Sequence, residues 1–314
     1  MGILKYPARL GRIRAARVIR VRHDMRTAEH PEDAAGPLAA VRRLDAESRR
    51  SESPCGEGSM LWRTWGDGPP LVLLHGGAGS WQHWVRTVPA FSATHRVLAP
   101  DLPGFGESAD PPAPPAMTTI SEIVAAGIDA LLGPRARYDL VGFSFGASVG
   151  GHVALLHGER VRSLTLLGAG GLVRPRTPMA LERVRDKSGA ARTQAHRTNL
   201  ERSMIANPAR IDACALAMQD WNATRSRLDS PALIKLRPLA VSLPQLRIPV
   251  NAIWGERDQV AYYTLEDRIA ALRELCPAVE LRIIPVAGHW APYELPDAFN
   301  ATLAELLRRT SGAG

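Results

Sequence analysis

The 314-residue sequence predicts an α/β fold with a mostly parallel central sheet, flanking helices and an inserted helical cap. Three observations predict it. Compact apolar runs recur from residue 70 onward, a glycine-containing turn and an amphipathic stretch tend to follow them, and one long polar interval interrupts the series. Short continuous apolar runs are typical of strands buried on both faces of a parallel sheet.

The strands can be assigned in chain order. The alternating stretch 60–65 suggests an early antiparallel hairpin. Later strands are expected at 71–74, 96–99, 138–143, 164–167, 250–254 and 281–284. The Arg-rich interval 172–245 is broken by prolines, and we expect it to form a helical cap over the carboxyl ends of the strands, where open α/β sheets bind ligands. The core domain is then 45–171 plus 246–314, and 1–44 form a basic extension that we expect to be disordered.

The net charge of +8 is unevenly distributed. Residues 1–26 hold eight Lys or Arg against one Asp, and residues 172–245 hold thirteen basic against six acidic side chains. The rest of the chain is mildly acidic. The basic N-terminus could contact an anionic surface, serve as an organellar address, or be an extension upstream of a natural start at Met25, and no function is assigned to it.

Cysteine usage and hydropathy indicate a compartment. Cys55, Cys214 and Cys276 are widely spaced and form no CxxC or Cys/His metal pattern, so free thiols in a reducing environment are expected. No apolar run has the length of a membrane span, and the N-terminus lacks the apolar block of a secretory signal. We therefore expect a cytoplasmic protein without metal or cofactor. Its partner is expected to be a small-molecule substrate rather than nucleic acid or membrane, and a homodimer is left open.

The strongest local motif is Gly142-Phe143-Ser144-Phe145-Gly146, between an expected strand and the expected helix 147–157. A G-x-S-x-G sequence in this position is typical of a sharp strand-to-helix turn that exposes the serine as a nucleophile. Glycines flank the serine because side chains there would clash with neighbouring backbone. Ser144 is the predicted nucleophile; the alternative is a serine that merely caps the helix.

A serine hydroxyl needs a base, and the base needs a carboxylate that holds its tautomer. His289 follows the last expected strand and is the predicted base, whereas His75 is expected to shape a turn. Asp258 follows the preceding strand and is the predicted carboxylate, with Glu256 and Asp267 as alternatives. Along the chain the serine comes first, the carboxylate second and the histidine third, which is the order found with this kind of strand-to-helix turn.

Backbone donors are also required for the anionic intermediate of acyl transfer. The amide of Phe145 and that of Gly77, in the glycine-rich stretch 75–80, are the predicted oxyanion hole. Gly76, Phe143 and Trp290 are expected to contact the substrate. A phosphate-binding loop is excluded because no Gly-Lys-Ser/Thr follows, and a dinucleotide fingerprint lacks its third glycine.

These motifs, in this order, resemble the capped α/β hydrolases over residues 45–312. The likeness is carried by His75-Gly76-Gly77, Asp101-Leu102-Pro103-Gly104-Phe105-Gly106-Glu107-Ser108, the turn at Ser144, Gly255 to Asp258, and Gly288-His289. The resemblance implies the α/β-hydrolase fold and a Ser-His-Asp catalytic triad. Haloalkane dehalogenases and epoxide hydrolases also look similar, but their nucleophile is an aspartate, which Ser144 disfavours.

The segment 288–294, GHWAPYE, followed by Phe299-Asn300, resembles the C-terminal motif of carbon–carbon bond hydrolases of meta-cleavage pathways. That resemblance implies carboxylate substrates, which the basic cap could attract. Phe143 departs from the pattern, since those enzymes usually carry a polar residue there. The leading hypothesis is a serine esterase acting on a carboxylic ester or related acyl bond. The alternatives are a carbon–carbon bond hydrolase of a diketo acid and a ligand-binding or cofactor-free oxidative member of the fold.

Overall fold

The structure is a computed structural model that describes residues 36–174, 179–261 and 264–311. Eight strands form one sheet in the order β1-β2-β4-β3-β5-β6-β7-β8. The strands are β1 (Arg49–Cys55), β2 (Gly58–Trp65), β3 (Pro70–Leu74), β4 (Arg96–Pro100), β5 (Tyr138–Phe143), β6 (Val161–Leu167), β7 (Val250–Gly255) and β8 (Glu280–Ile284). Strand β2 is antiparallel to both β1 and β4, and the other pairs are parallel. The predicted fold class is confirmed.

Helices cover both faces of the sheet. They are α1 (Ala39–Ala46), α2 (Val88–Ser92), α3 (Met117–Leu132), α4 (Phe145–His157), α5 (Gly189–Ser203), α6 (Ala213–Thr224), α7 (Ser230–Ile234), α8 (Pro238–Ser242), α9 (Leu265–Leu275), α10 (Ala291–Glu294) and α11 (Pro296–Ser311). Strand β3 shows how the sheet divides the core: Val72 and Leu74 belong to one apolar cluster, and Leu71 and Leu73 to the other. Successive side chains of a strand point to opposite faces, so a strand between two helical layers must be apolar throughout.

Strand burial follows position in the sheet. All six residues of the central strand β5 are buried. In β8 only Ile284 is buried, so the expectation of burial on both faces is wrong for this strand. Among the described residues β8 is an edge strand, with neighbours on one side only, so more of its surface borders solvent.

The packed region begins earlier than predicted. Helix α1 buries Val41 and Leu44 against the sheet, and the indole N–H of Trp65 donates to the Leu44 carbonyl oxygen at 2.7 Å. The predicted boundary at residue 45 is therefore too late, because these apolar side chains form part of the core. The basic segment 1–35 lies outside the described residues.

The interval between β6 and β7 contains helices α5, α6, α7 and α8. A backbone contact joins it to the C-terminal part of the chain: the N–H of Trp290 donates to the Met204 carbonyl at 2.7 Å. Within the interval, the N–H of Leu239 donates to the Gly171 carbonyl at 3.2 Å, shortly after β6 ends. Within the ranges that the structure describes, no helix is both long enough and apolar enough to cross a membrane.

Candidate active site

The turn between β5 and α4 holds Ser144 in a strained conformation, with φ 51° and ψ −107°. A non-glycine residue in this region stores roughly 1–3 kcal/mol of strain. Both flanking positions must be glycine because there is no room for a Cβ atom. A Cβ on Gly142 would lie 2.4 Å from the carbonyl oxygen of Gly146, and one on Gly146 would lie 2.4 Å from that of Leu74. Ser144 is thereby presented at the apex of the turn, where it is partly exposed.

The predicted base and carboxylate are in direct contact. His289 Nδ1 lies 2.7 Å from Asp258 Oδ2, and both side chains are buried. The second oxygen of Asp258 accepts the backbone N–H groups of Val260 (2.9 Å) and Ala261 (3.1 Å). A carboxylate on Nδ1 favours the tautomer that carries its proton there, which leaves Nε2 free to accept a proton.

One segment touches both the serine turn and this pair. The N–H of Ser144 donates to the Leu167 carbonyl at 2.8 Å. A Cβ on Gly168 would lie 2.9 Å from the ring of His289. In addition, the rings of Phe143 and His289 are 4.8 Å apart. The fold thus gathers the three predicted side chains at the carboxyl ends of β5, β7 and β8.

The alternative carboxylates lie elsewhere. Glu256 is exposed, and its carboxylate accepts the N–H of Val286 at 2.9 Å. Asp267 is exposed on helix α9. Asp258 is therefore the carboxylate of the three that pairs with the imidazole.

His75 joins two loops, in keeping with its expected structural role. Its Nδ1–H donates to the Gly76 carbonyl at 2.7 Å, and Nε2 accepts the N–H of Leu102 at 2.8 Å. Complete burial lowers the pKa of His75 to about 4. The side chain is consequently neutral near pH 7 and fixes the loop after β3 to the loop after β4.

His83 is a site residue that sequence reasoning missed. Its Nδ1 accepts the N–H of Gly76 at 3.2 Å, and its backbone carbonyl accepts the indole N–H of Trp290 at 2.9 Å. Burial lowers the pKa of His83 well below its usual range. Its position soon after the glycine-rich stretch 75–80 was the available signal. The residue ties the predicted oxyanion loop to the loop of the predicted base.

The three residues expected to touch substrate also have structural contacts. Both backbone polar groups of Gly76 are already bonded, to His83 and to His75. Phe143 and Trp290 are each only 1% exposed. A Cβ on Gly76 would also lie 3.3 Å from the Cβ of Ser144, so this glycine is beside the predicted nucleophile. Substrate contact by Gly76, Phe143 and Trp290 stays a prediction.

The two predicted oxyanion donors are neighbours. A Cβ on Gly77 would lie 3.7 Å from the Cβ of Phe145. Phe145 is the first residue of α4, so its N–H has no acceptor within the helix and lies at the positive end of the helix dipole. Gly77 is partly exposed, as is Ser144.

A buried arginine positions the carboxylate loop. The guanidinium of Arg268 donates to the carbonyls of Ala169 (3.0 Å) and Val260 (3.2 Å) and to the Thr264 hydroxyl (3.0 Å). Burial lowers the pKa of Arg268, while the nearby charge of Asp258 acts in the opposite direction. Arg268 therefore connects the loop after β6 to the loop that carries the predicted orienting carboxylate.

A buried glutamate joins the loop of the predicted base to the helical insertion. Glu294 is 1% exposed, and its carboxylate accepts three backbone N–H groups. One comes from Gly288 (2.7 Å), beside His289, and two come from Asn207 (2.7 Å) and Ala206 (3.1 Å) in the insertion. The position of the imidazole is therefore coupled to the seating of the insertion.

Comparison with known proteins identifies the family. The model of the alpha/beta hydrolase fold matches residues 69–296, which is more than half of the chain. The chain belongs to this family. It is accordingly a hydrolase of the α/β fold.

Two curated relatives and one solved structure illustrate the similarity. The chain is 30% identical to the dihydrolipoyllysine-residue acetyltransferase component of an acetoin cleaving system from Pseudomonas putida, over 77% of this chain and 64% of that protein. It thus spans less than two thirds of that relative. It is 26% identical to a 2-hydroxy-6-oxo-6-phenylhexa-2,4-dienoate hydrolase from Burkholderia cepacia, over 77% and 88% of the two chains. A crystal structure of a membrane phospholipase A, a bacterial virulence factor, matches with a TM-score of 0.70 and 25% identity over 87% and 91%.

Proposed function

We propose that this chain hydrolyses a carboxylic ester, or a related acyl bond, of a small substrate through an acyl-enzyme on Ser144. The observation that carries the proposal is the buried 2.7 Å contact between His289 and Asp258 beside a strained, partly exposed serine. A neutral imidazole held in one tautomer is the base that a serine hydroxyl requires. Similarity to a phospholipase A supports an ester bond as the target.

The reaction has two halves. His289 Nε2 takes the proton of Ser144 Oγ as that oxygen bonds to the acyl carbon, and the same proton then passes to the departing alcohol. In the second half, His289 takes a proton from water, the water oxygen bonds to the acyl carbon, and the serine ester bond breaks with return of the proton to Oγ. Asp258 stabilises the imidazolium in both halves, while the N–H groups of Gly77 and Phe145 stabilise the charged oxygen.

The helical insertion 172–245 acts as a cap in this proposal. Supporting contacts are those of helix α7 with the loops that follow β3 and β6, where Ile234 lies against Gly170 and Ser230 against Gly77. A cover at the carboxyl ends of the strands excludes water from the reacting groups and limits the substrate to a small molecule.

A second function is carbon–carbon bond hydrolysis of an unsaturated diketo acid. The relative from Burkholderia cepacia, which is named for that type of substrate, favours it. The residue before the nucleophile argues against it, because Phe143 is buried against the ring of His289 and offers no polar group. Ester hydrolysis therefore remains the first proposal.

One panel tests both functions. Purified protein is assayed against p-nitrophenyl esters of graded chain length and against carboxylated meta-cleavage diketo acids. Ester turnover should disappear in Ser144→Ala and persist in a matched control, Ser92→Ala, at the end of the remote helix α2. Full ester turnover by Ser144→Ala would reject the acyl-enzyme. Turnover confined to the diketo acids would select the second function, and absence of Ser144 labelling by a fluorophosphonate would favour a non-hydrolytic role.

A further inference from the structure

The short helix α7 of the insertion contacts the loops on either side of the predicted nucleophile. A Cβ on Gly77 would lie 2.4 Å from Ser230 Oγ, and one on Gly170 would lie 2.9 Å from Ile234 Cδ1. Gly77 follows strand β3 and Gly170 follows β6, while β5 lies between these strands in the sheet. Because Ser144 follows β5, the first and last residues of α7 bracket it. Ser230 is the end nearer to the predicted oxyanion hole.

The hydroxyl of Ser230 has an unused hydrogen-bonding capacity. The residue is 5% exposed, and its backbone N–H donates to the Leu228 carbonyl at 3.0 Å. Among the described residues its hydroxyl has no hydrogen bond, and it is not one of the fully enclosed unpaired polar atoms, so it retains some contact with open space. A hydroxyl that is unpaired within the protein, keeps a small exposed surface and lies against Gly77 in a loop that lines the candidate site is suited to a ligand.

We propose that Ser230 Oγ–H donates a third hydrogen bond to the acyl oxygen of the substrate, beside the N–H groups of Gly77 and Phe145. This inference rests on the proposed function. The hydroxyl keeps its proton throughout, so it serves as a dipole that stabilises the oxygen as negative charge develops. The donor comes from the insertion, and catalysis therefore depends on α7 being seated over the strand ends.

The test compares Ser230→Ala with a matched serine of the same insertion. Ser242 on α8 is also buried, and its hydroxyl has no hydrogen-bond partner among the described residues. It faces Gly151 of α4, where a Cβ would lie 2.7 Å from its Oγ, and not the loops that follow β3 and β6. Ser242→Ala therefore repeats the chemical change away from the site.

Removal of one oxyanion donor commonly lowers kcat by about 10²–10³-fold. For one neutral donor of three, we expect Ser230→Ala to lower kcat by about 10- to 100-fold with KM nearly unchanged, because the bond strengthens in the transition state. The rate of Ser144 labelling by a fluorophosphonate should fall as well. Ser230→Thr retains the hydroxyl and should recover part of kcat, and Ser242→Ala should retain wild-type kinetics.

The outcomes separate this inference from the proposed function. Wild-type kcat and labelling rate in Ser230→Ala, with Ser144→Ala inactive, would overturn the role of Ser230 and leave the proposed function intact. If Ser230→Ala and Ser242→Ala lose kcat and unfolding temperature to the same extent, both serines have a structural role, and the proposed hydrogen bond from Ser230 is also overturned. If the wild-type protein neither hydrolyses an ester nor labels at Ser144, the proposed function fails and the inference falls with it.

Discussion

The contacts of Glu294 allow a quantitative prediction. Its carboxylate is the acceptor for the N–H groups of Gly288, Asn207 and Ala206, and the side chain is 1% exposed. Glu294→Ala removes all three bonds at once. It also frees the loop of His289 from the helical insertion, so both stability and catalysis should respond.

The magnitude follows from the number and kind of bonds. A hydrogen bond to a charged group contributes about 1.5–3 kcal/mol, and an unsatisfied buried donor costs about 1–3 kcal/mol. Water that enters the space left by the side chain will satisfy some of the donors. We therefore expect the free energy of unfolding to fall by roughly 3–5 kcal/mol. Because the imidazole loses its support, kcat should fall by about tenfold or more, in line with the sensitivity of catalysis to small misplacements.

Urea unfolding followed by tryptophan fluorescence measures the first quantity, and p-nitrophenyl ester turnover well below the unfolding temperature measures the second. Glu122→Ala, on the exposed side of helix α3, is the matched control and should change neither. Glu294→Gln should have a free energy of unfolding between those of wild type and Glu294→Ala. In either orientation of the glutamine amide, its NH₂ group faces a backbone N–H, and two donors cannot form a hydrogen bond. Glu294→Ala with a free energy of unfolding within about 0.5 kcal/mol of wild type and unchanged kcat would refute the coupling, since that is the scatter of ordinary surface changes.

Three further predictions follow from the site. Asp258→Asn should leave the fold intact by circular dichroism and lower kcat by about 10⁴-fold, because the amide no longer selects the required tautomer of His289; a loss below tenfold would contradict it. Gly77→Ala should lower kcat by about tenfold, since its Cβ would lie 2.4 Å from Ser230 Oγ, and Ser230→Gly in that background should relieve the clash without restoring full activity. Burial lowers the pKa of His75 to about 4, so the unfolded chain binds more protons than the native one. The free energy of unfolding that this shift contributes is complete above about pH 6.5 and is lost as the pH falls towards 4, by about 2 kcal/mol between pH 7 and pH 5. The urea midpoint of His75→Gln should therefore vary less with pH than that of the wild type. An identical pH dependence of the two midpoints would argue against a neutral native His75.

Most of the strand pattern could be predicted from the sequence, because its causes are local. An apolar run buried on both faces, such as β5, is recognisable without its neighbours, and its predicted limits coincide with the observed strand. The serine turn was partly predictable for the same reason, because Gly142 is required by the backbone of Gly146 and Ala147, whereas Gly146 is required by the distant backbone of Leu74 and His75. The limits of α1 were missed, although Val41 and Leu44 have the i, i+3 spacing of an amphipathic helix, because the segment is short and its burial depends on distant core residues.

By itself the sequence determined the order of the elements, the turn that strains Ser144, and the few residues that could act as its base and as the carboxylate of that base. Only the tertiary structure decided which of these side chains meet. Asp258 and His289 are 31 residues apart in the chain, and Ser230 meets Gly77 only because an insertion folds back over the sheet. Local patterns encode burial and turn geometry, whereas a contact between strand-end loops depends on strand order and on how the insertion packs.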